Sequence, residues 1–236
     1  MHQTKVKVAE DALDANTTIA TANRDDFDRA GVAVVNLMSA PGAGKTTLLE
    51  RALAERGELR VGVLEGDVQG SIDADRISAL HIPVVQINTD AGFGGECHLD
   101  ANMVRSALGD LHLDELELLV VENVGNLVCP AEFSIGENAK AMICSVAEGE
   151  DKPLKYPLMF RSCELVVINK TDLLPHLDFD VERLITNIDR VNPEAEVIEL
   201  SAKTGEGVGR FREWLFRITD RVGDPAGESA APSPAG

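Results

Sequence analysis

The chain has 236 residues, 44% of them hydrophobic, which is enough for one large α/β domain with a substantial core. Its net charge of −18 argues against a protein that mainly binds polyanions such as nucleic acid or an acidic membrane surface. The four cysteines lack the spacing of a secreted disulfide scaffold, and no segment approaches the roughly 20 apolar residues that span a bilayer. These features predict a cytoplasmic protein.

Along the chain, a polar start, an alternating middle and a Pro- and Gly-rich tail predict three regions. Residues 1–30 are predicted to form a helical extension outside the core, and residues 223–236 a disordered tail. Short apolar runs predict strands at Val32–Met38, Val61–Glu65, Pro83–Ile87, Leu118–Glu122, Ala141–Val146, Leu165–Ile168 and Val197–Leu200. Amphipathic stretches predict helices at Thr46–Arg56, Asp73–Leu80, Leu99–Leu108, Asp180–Val191 and Val208–Ile218. This alternation predicts an α/β fold with a mostly parallel sheet flanked by helices.

The segment after the first predicted strand fits the phosphate-binding pattern G-x-x-x-x-G-K-[ST], except that Ser39 stands where the first glycine is usual. Because it links a strand to a helix, its N–H groups and the helix dipole can converge on an anion. Lys45 would reach the β- and γ-phosphates, and the Thr46 hydroxyl would bind Mg²⁺. A Gly-rich turn without a ligand is the alternative, which the Lys-Thr pair disfavours. The other predicted nucleotide contacts of this loop are Gly42, Ala43, Gly44 and Thr47.

A second motif, Asn169-Lys170-Thr171-Asp172, directly follows a predicted strand. The Asp172 carboxylate can accept hydrogen bonds from the N1–H and the exocyclic amine of guanine, a donor pair that adenine lacks. Alone, this motif could be a strand-end turn. Its position downstream of the phosphate loop favours a guanine site, as does the later segment Ser201-Ala202-Lys203, which resembles the loop that supports the base in GTPases.

Acidic residues between these motifs are candidates for the magnesium site and the switches. Asp67 and Asp73 are the preferred pair, although Asp73 could instead cap a helix. Glu122-Asn-Val-Gly125 occupies the place where GTPases use D-x-x-G, so the Gly125 N–H is a candidate γ-phosphate sensor and Glu122 a magnesium-side acid. No glutamine in this segment matches a water-positioning role, which predicts slow intrinsic hydrolysis.

A thiol and an imidazole stand side by side at Cys97 and His98, after glycines that allow a loop in which both could bind one ion. Cys129 could supply a third ligand, and a second subunit a fourth. The alternative is a buried thiol beside a hydrogen-bonded imidazole. Thiolate and imidazole suit both nickel and zinc. Cys144 and Cys163 lie in or beside apolar strands and are predicted to belong to the core.

These motifs together resemble the HypB family, hydrogenase nickel-incorporation GTPases, over roughly residues 30–220. The resemblance rests on SAPGAGKTT at 39–47, EGD at 65–67, CHLDA at 97–101, ENVGNLVCP at 122–130, KYP at 155–157 and NKTD at 169–172. It implies a P-loop NTPase G domain of the SIMIBI type over residues 31–222, with GTP or GDP and Mg²⁺ bound. It also implies a homodimer with Cys97, His98 and Cys129 as an interfacial metal site.

The same resemblance implies nickel delivery to the large subunit of [NiFe] hydrogenase, together with a HypA-type metallochaperone. Some family members carry an N-terminal cysteine motif or a His-rich stretch for nickel storage. Residues 1–30 contain no Cys and one His, which argues against storage. GTP would pull Gly125 toward the γ-phosphate. Our hypothesis is that this movement repositions Cys129, so that metal affinity depends on the bound nucleotide.

Three other classes compete with this interpretation. A urease-type nickel chaperone of the UreG kind would carry Cys-Pro-His, whereas Cys97 and His98 are adjacent. A regulatory GTPase with incidental cysteines would show no nucleotide-dependent metal binding. The third class is an ATP-using P-loop kinase, and Asp172 argues against this interpretation because adenine lacks the donor pair that it would bind.

Overall fold

The structure, a computed structural model, describes residues 2–67, 72–89 and 98–223, with side chains over 12–66, 74–89 and 98–223. Cys97 lies outside the described residues, as do the side chains of Asp67 and Asp73 and the tail 224–236 that was expected to be disordered. The predictions that depend on these residues stay predictions. No helix in the described ranges is both long and apolar enough to cross a membrane.

Seven strands form one sheet in which every pairing is parallel, with the order β3-β2-β4-β1-β5-β6-β7. The strands are β1 (Ala33–Ser39), β2 (Val61–Asp67), β3 (Val84–Asn88), β4 (Leu118–Glu122), β5 (Ala139–Ser145), β6 (Leu165–Asn169) and β7 (Glu196–Glu199). Each overlaps a predicted apolar run. The predicted parallel α/β architecture is therefore confirmed.

The α-helices in the described part of the chain are α1 (His2–Ala30), α2 (Lys45–Leu53), α3 (Ile72–Ser78), α4 (Ala101–Ala107), α5 (Cys129–Glu132), α6 (Lys152–Lys155), α7 (Pro157–Arg161), α8 (Val181–Val191) and α9 (Val208–Gly223). Short 3-10 helices cover Leu108–Asp110, Leu113–Glu115 and Thr171–His176. The five predicted helices correspond to α2, α3, α4, α8 and α9. The short helices α5, α6 and α7 had no predicted counterpart.

The central strands are buried on both faces, which explains why they are continuous apolar runs rather than alternating ones. Helices α2, α3 and α9 cover one face, where Leu37 of β1 packs in one cluster with Leu48, Phe211 and Trp214. Helices α1 and α4 cover part of the other face, and α7 and α8 cover the rest. All residues of β1 and β4 are buried, so the middle of the sheet is a rigid base for the loops at its carboxyl edge.

The N-terminal segment is a single helix whose buried stripe consists of Asn16, Ala20, Asn23 and Phe27. Phe27 is fully buried in the same cluster as core residues of β1 and β4. We expected this segment to pack outside the core, but its second half contributes to it. The reason is that one fully buried aromatic ring anchors a helix that is otherwise polar.

The strand order places the predicted motifs together. Strand β1 lies between β4 and β5, and β6 follows β5. Because carboxyl ends of parallel strands meet at one edge, the loops after β1, β4 and β6 are neighbours there. This edge is where open α/β sheets bind their ligands.

Candidate functional site

The phosphate loop joins β1 to α2 through two glycines with left-handed backbone, Gly42 at φ 71° and Gly44 at φ 98°. A Cβ on Gly44 would lie 2.7 Å from the Asn169 amide nitrogen, so this position has no space for a side chain. The Lys45 ammonium donates a 2.8 Å hydrogen bond to the Ser39 hydroxyl. Ser39 therefore contacts the lysine expected to bind phosphate, which accounts for a polar residue at the usual glycine position.

Asn169 connects three loops of the predicted nucleotide site. Its side-chain amide donates to the Ala43 carbonyl at 2.9 Å, and its carbonyl oxygen accepts from the backbone N–H groups of Lys170 at 2.7 Å and Ala202 at 3.0 Å. The Lys170 ammonium donates to the Gly42 carbonyl at 2.6 Å. The structure thus brings the phosphate loop, the guanine motif and the base-support loop into one unit.

The predicted guanine reader faces a cavity of about 790 Å³. Asp172 accepts a hydrogen bond from the Ser201 hydroxyl at 2.7 Å, and the Lys203 ammonium lies 3.9 Å from its other carboxylate oxygen. These contacts orient the carboxylate before any base is bound. The predicted site residues that line the cavity are Gly44, Thr47, Asn169, Lys170, Asp172, Ala202 and Lys203.

A hydroxyl and a carboxylate meet where magnesium is expected. The Thr46 hydroxyl donates to a Glu122 carboxylate oxygen at 2.7 Å, and both residues are buried. Glu65 on β2 is paired with Glu122 in the parallel register and is also buried. Such oxygen donors fit Mg²⁺. Backbone positions put Asp67 at the end of β2 and Asp73 in the first turn of α3.

The switch segment after β4 lies against the phosphate loop. A Cβ on Gly125 would lie 2.9 Å from Pro41 Cα and 3.0 Å from the Pro41 nitrogen, so glycine is required for this close approach. This contact joins the two elements that were expected to sense the γ-phosphate.

Two of the three predicted nickel or zinc ligands are on described segments that touch. The His98 ring is buried and packs against the Phe133 ring at a centroid distance of 4.4 Å. Half-buried Cys129 begins α5, and Phe133 follows its end. Among described residues, no three His, Cys, Asp or Glu side chains form a cluster suited to a metal. The metal site with Cys97 therefore stays a prediction.

One functional candidate was missed in the sequence. Fully buried Asn123 accepts hydrogen bonds from the backbone N–H groups of Leu99 and Val124, each at 2.9 Å, and donates to the Asn36 side-chain oxygen at 3.2 Å. Leu99 directly follows His98. Asn123 thus joins the switch segment to the histidine segment, and its place between Glu122 and Gly125 was the only signal for it.

A second missed contact lies at the edge of the cavity. The Arg76 guanidinium of α3 donates to the Glu50 carboxylate and to the Thr47 hydroxyl, both at 3.1 Å. Helix α3 contains Asp73, so this arginine ties the helix of one predicted magnesium-site acid to the start of α2. The sequence offered no spacing rule that pairs these residues.

Cys144 and Cys163 belong to the core, as predicted. Burial raises the pKa of the Cys163 thiol to about 12, and burial also raises the pKa of Cys144 well above its ordinary value. Cys163 donates to the Met159 carbonyl at 3.0 Å. Both thiols are therefore expected to be core side chains of low reactivity, since a buried thiol does not ionise readily.

In the folded protein, Cys129 should react with a maleimide or iodoacetamide at pH 7.5 at least about tenfold faster than Cys144 and Cys163, since reactivity follows exposure and thiolate character. Peptide mapping by mass spectrometry after timed labelling measures each site separately. Guanidinium-unfolded protein is the control, in which all of these thiols should be labelled. Rapid labelling of Cys163 in the folded state would contradict its assignment to the core.

Comparison with known proteins assigns the family. Residues 33–199 match the model of the CobW/HypB/UreG nucleotide-binding domain. The chain is 53% identical over 215 residues to hydrogenase maturation factor HypB from Azotobacter vinelandii, a match that covers 90% of this chain and 69% of that protein. The chain belongs to the HypB family of hydrogenase maturation factors. The resemblance found in the motifs is thus confirmed.

Two solved HypB structures share this fold. HypB from Archaeoglobus fulgidus is 37% identical with a TM-score of 0.79, covering 87% of this chain and 98% of that one. HypB from Helicobacter pylori, solved in complex with nickel, is 33% identical with a TM-score of 0.81, covering 92% and 99%. The sheet, the phosphate loop and the loops around it are therefore those of a HypB-family domain.

Proposed function

We propose that this HypB-family chain is a GTP-hydrolysing metallochaperone that binds nickel, and zinc as well, and assists nickel insertion into [NiFe] hydrogenase. The observation that carries the proposal is the position of the segment after β4. Within three residues, Gly125 abuts the phosphate loop and Asn123 binds the backbone next to His98. A nucleotide switch in contact with the segment that carries a candidate metal ligand is what a nucleotide-controlled metal carrier requires.

The nucleotide half of the proposal rests on the cavity around Asp172. Its carboxylate would accept from both guanine donors, while Lys45 would bind the β- and γ-phosphates. Thr46 and Glu122 would hold Mg²⁺, with Asp67 and Asp73 as further acids close to the same edge of the sheet. When bound, the ion neutralises charge on the phosphate oxygens.

Hydrolysis is proposed to be slow without a partner. The Gly125 N–H would bind a γ-phosphate oxygen, but residues 122–129 offer no glutamine to orient the attacking water. A long-lived GTP state would hold the metal-binding conformation until a partner engages. We propose that the protein meets its partner in the cytoplasm.

The metal half of the proposal is that His98, Cys129 and Cys97 bind the cargo ion. GTP would draw residues 122–129 toward the γ-phosphate, and the movement would reach Cys129 along the chain and His98 through the Asn123 hydrogen bond to Leu99. If both are equilibrium effects, the metal must change GTP affinity by the same factor as GTP changes metal affinity.

Exposed apolar residues near the metal segments support a homodimer. Val128 directly precedes Cys129 and is 55% exposed, and Leu154 and Leu158, four residues apart on α6 and α7, are 50% and 49% exposed. A symmetric interface that includes these residues would cover exposed apolar side chains and could supply further metal ligands from the second subunit. We propose a HypA-type nickel chaperone and the hydrogenase large subunit as the other partners.

Titration of Ni²⁺ and Zn²⁺ in the presence of GDP or a non-hydrolysable GTP analogue tests this function. We expect metal affinity to differ by roughly tenfold or more between the two nucleotide states. His98→Ala and Cys129→Ala should weaken binding in both states, because each removes a ligand. The matched control is His112→Ala, which removes an exposed imidazole elsewhere. Equal affinity in the two nucleotide states, or unchanged affinity in His98→Ala, would refute the proposal.

A further inference from the structure

Asn16 on the N-terminal helix bridges two segments that are far apart in the chain. Its side chain is buried, and its carbonyl oxygen accepts a hydrogen bond from the Ala101 backbone N–H at 2.9 Å. Its amide donates to the Ser134 carbonyl at 2.8 Å. One side chain of α1 therefore holds the start of α4 and the loop after α5 together.

Asn23 makes a second bridge between the same two segments, two helical turns further along α1. It is fully buried, and its amide donates to the Ala101 carbonyl at 2.9 Å and to the Ile135 carbonyl at 3.1 Å. Its carbonyl oxygen accepts from the Arg105 guanidinium at 3.1 Å. Because both asparagines satisfy backbone groups on the two sides, neither segment can move away without leaving buried polar groups unpaired.

The backbone of α1 packs closely against the loop after α5. Gly136 has φ 95°, and a Cβ on it would lie 2.7 Å from the Ala20 carbonyl oxygen and 2.9 Å from the Arg24 nitrogen. The Arg24 guanidinium donates to the Gly136 carbonyl at 3.0 Å. The helix backbone and the loop backbone are thus in direct contact beside the two bridges.

The bridged segments are those that carry the candidate metal ligands. Ala101 lies three residues after His98, and Ser134 lies five residues after Cys129. Ser134 also directly follows Phe133, whose ring packs on the His98 ring at 4.4 Å. The asparagines therefore act within a few residues of His98 on one side and of Cys129 on the other.

We propose that α1 is a positioning element of the metal site, in which Asn16 and Asn23 hold the His98 and Cys129 segments at the separation that metal binding needs. This inference rests on the proposed function for those two ligands. Groups that orient metal ligands typically change metal affinity by about 10–100-fold when they are removed. Coupling is reciprocal, so bound metal should in turn slow hydrogen exchange in the second half of α1.

Ni²⁺ titration of the full chain with Asn16→Ala, Asn23→Ala and the double variant tests the inference. We expect Ni²⁺ affinity to fall by about 10–100-fold and the thiolate-to-nickel absorption band to change, while GDP affinity stays within twofold. Asn187→Ala is the matched control, since Asn187 is also buried and donates from α8 to the Glu150 carbonyl at 2.9 Å, a residue of neither ligand segment. It should lower thermal stability without changing Ni²⁺ affinity.

Unchanged Ni²⁺ affinity in Asn16→Ala would overturn the inference, as would a parallel loss of Ni²⁺ and GDP affinity, which indicates general destabilisation. If Asn23→Ala fails to fold, Asn16→Ala alone decides, and hydrogen exchange of α1 in the wild-type chain with and without Ni²⁺ gives a second, independent readout. No slowing of exchange in α1 would also count against it. If His98→Ala binds Ni²⁺ with the affinity of the wild-type chain, the proposed function is refuted instead.

Discussion

Asp172→Asn is expected to lower the affinity for GDP and GTP by about a hundredfold or more, because hydrogen bonds to a charged group contribute roughly 1.5–3 kcal/mol each and guanine offers two donors. The Ser201 hydroxyl, which donates a 2.7 Å hydrogen bond to Asp172, can donate equally to the carbonyl oxygen of the asparagine. The loop should therefore keep its conformation. The new amide can donate to the C2 carbonyl of xanthine. Competition of fluorescent GDP with GDP, XDP and ADP measures the change, and a gain in XDP affinity is expected.

Asp189→Asn is the matched control, because it makes the same charge change at an exposed position on α8. It should leave all nucleotide affinities unchanged. Equal binding of GDP and ADP by the wild-type chain would show that the cavity does not select guanine. Unchanged GDP affinity in Asp172→Asn would show that another group reads the base.

The fold could be predicted from the sequence because its central strands are buried on both faces. Such strands are continuous apolar runs, and the run at 118–122 corresponds in full to β4. The short helices α5, α6 and α7 could not be predicted from periodicity, since four or five residues are too few to show a helical repeat. Each has a proline at its first or second position, which was the available signal.

The buried face of α1 was hidden because half of its stripe is asparagine. Asn16, Ala20, Asn23 and Phe27 recur at helical spacing, but two amides make the face look polar. Their burial is stable only because they bind backbone groups of segments that lie more than 75 residues away. A single sequence contains no information on which distant carbonyl a given asparagine will meet.

In the nucleotide site, the local motifs were sufficient to predict the loops, but they did not show which acidic residue lies beside the Thr46 hydroxyl. Asp67 and Asp73 were preferred for magnesium because they follow a strand at short spacing. The structure puts Glu122 in contact with the Thr46 hydroxyl, through a pairing of β1 and β4 that spacing does not reveal. Contact between Glu122 and Thr46 depends on strand order, and strand order depends on the packing of the whole sheet.

Gly125→Ala should separate GTP sensing from guanine binding. The added Cβ would lie 2.9 Å from Pro41 Cα, a backbone atom that cannot rotate away, so the switch segment or the phosphate loop must shift. Misplacement by about 1 Å can cost about a hundredfold in rate, and we expect a loss of that order in GTP hydrolysis. GDP affinity should change little, because Gly125 contacts Pro41, whereas Asp172 lines the cavity together with Gly44 and Thr47. Single-turnover hydrolysis and GDP titration measure the two effects.

The same substitution tests whether one contact serves both nucleotide and metal. If the segment after β4 transmits the nucleotide state, Gly125→Ala should bind Ni²⁺ with the same affinity in GDP and in the GTP analogue, because the segment no longer docks on Pro41. Gly109→Ala is the control, since a Cβ there meets nothing within 4 Å. Retained nucleotide dependence alongside lost hydrolysis would mean that the signal reaches the metal without Gly125. The Leu99 N–H hydrogen bond to Asn123 would then be a candidate connection between the switch segment and the His98 segment.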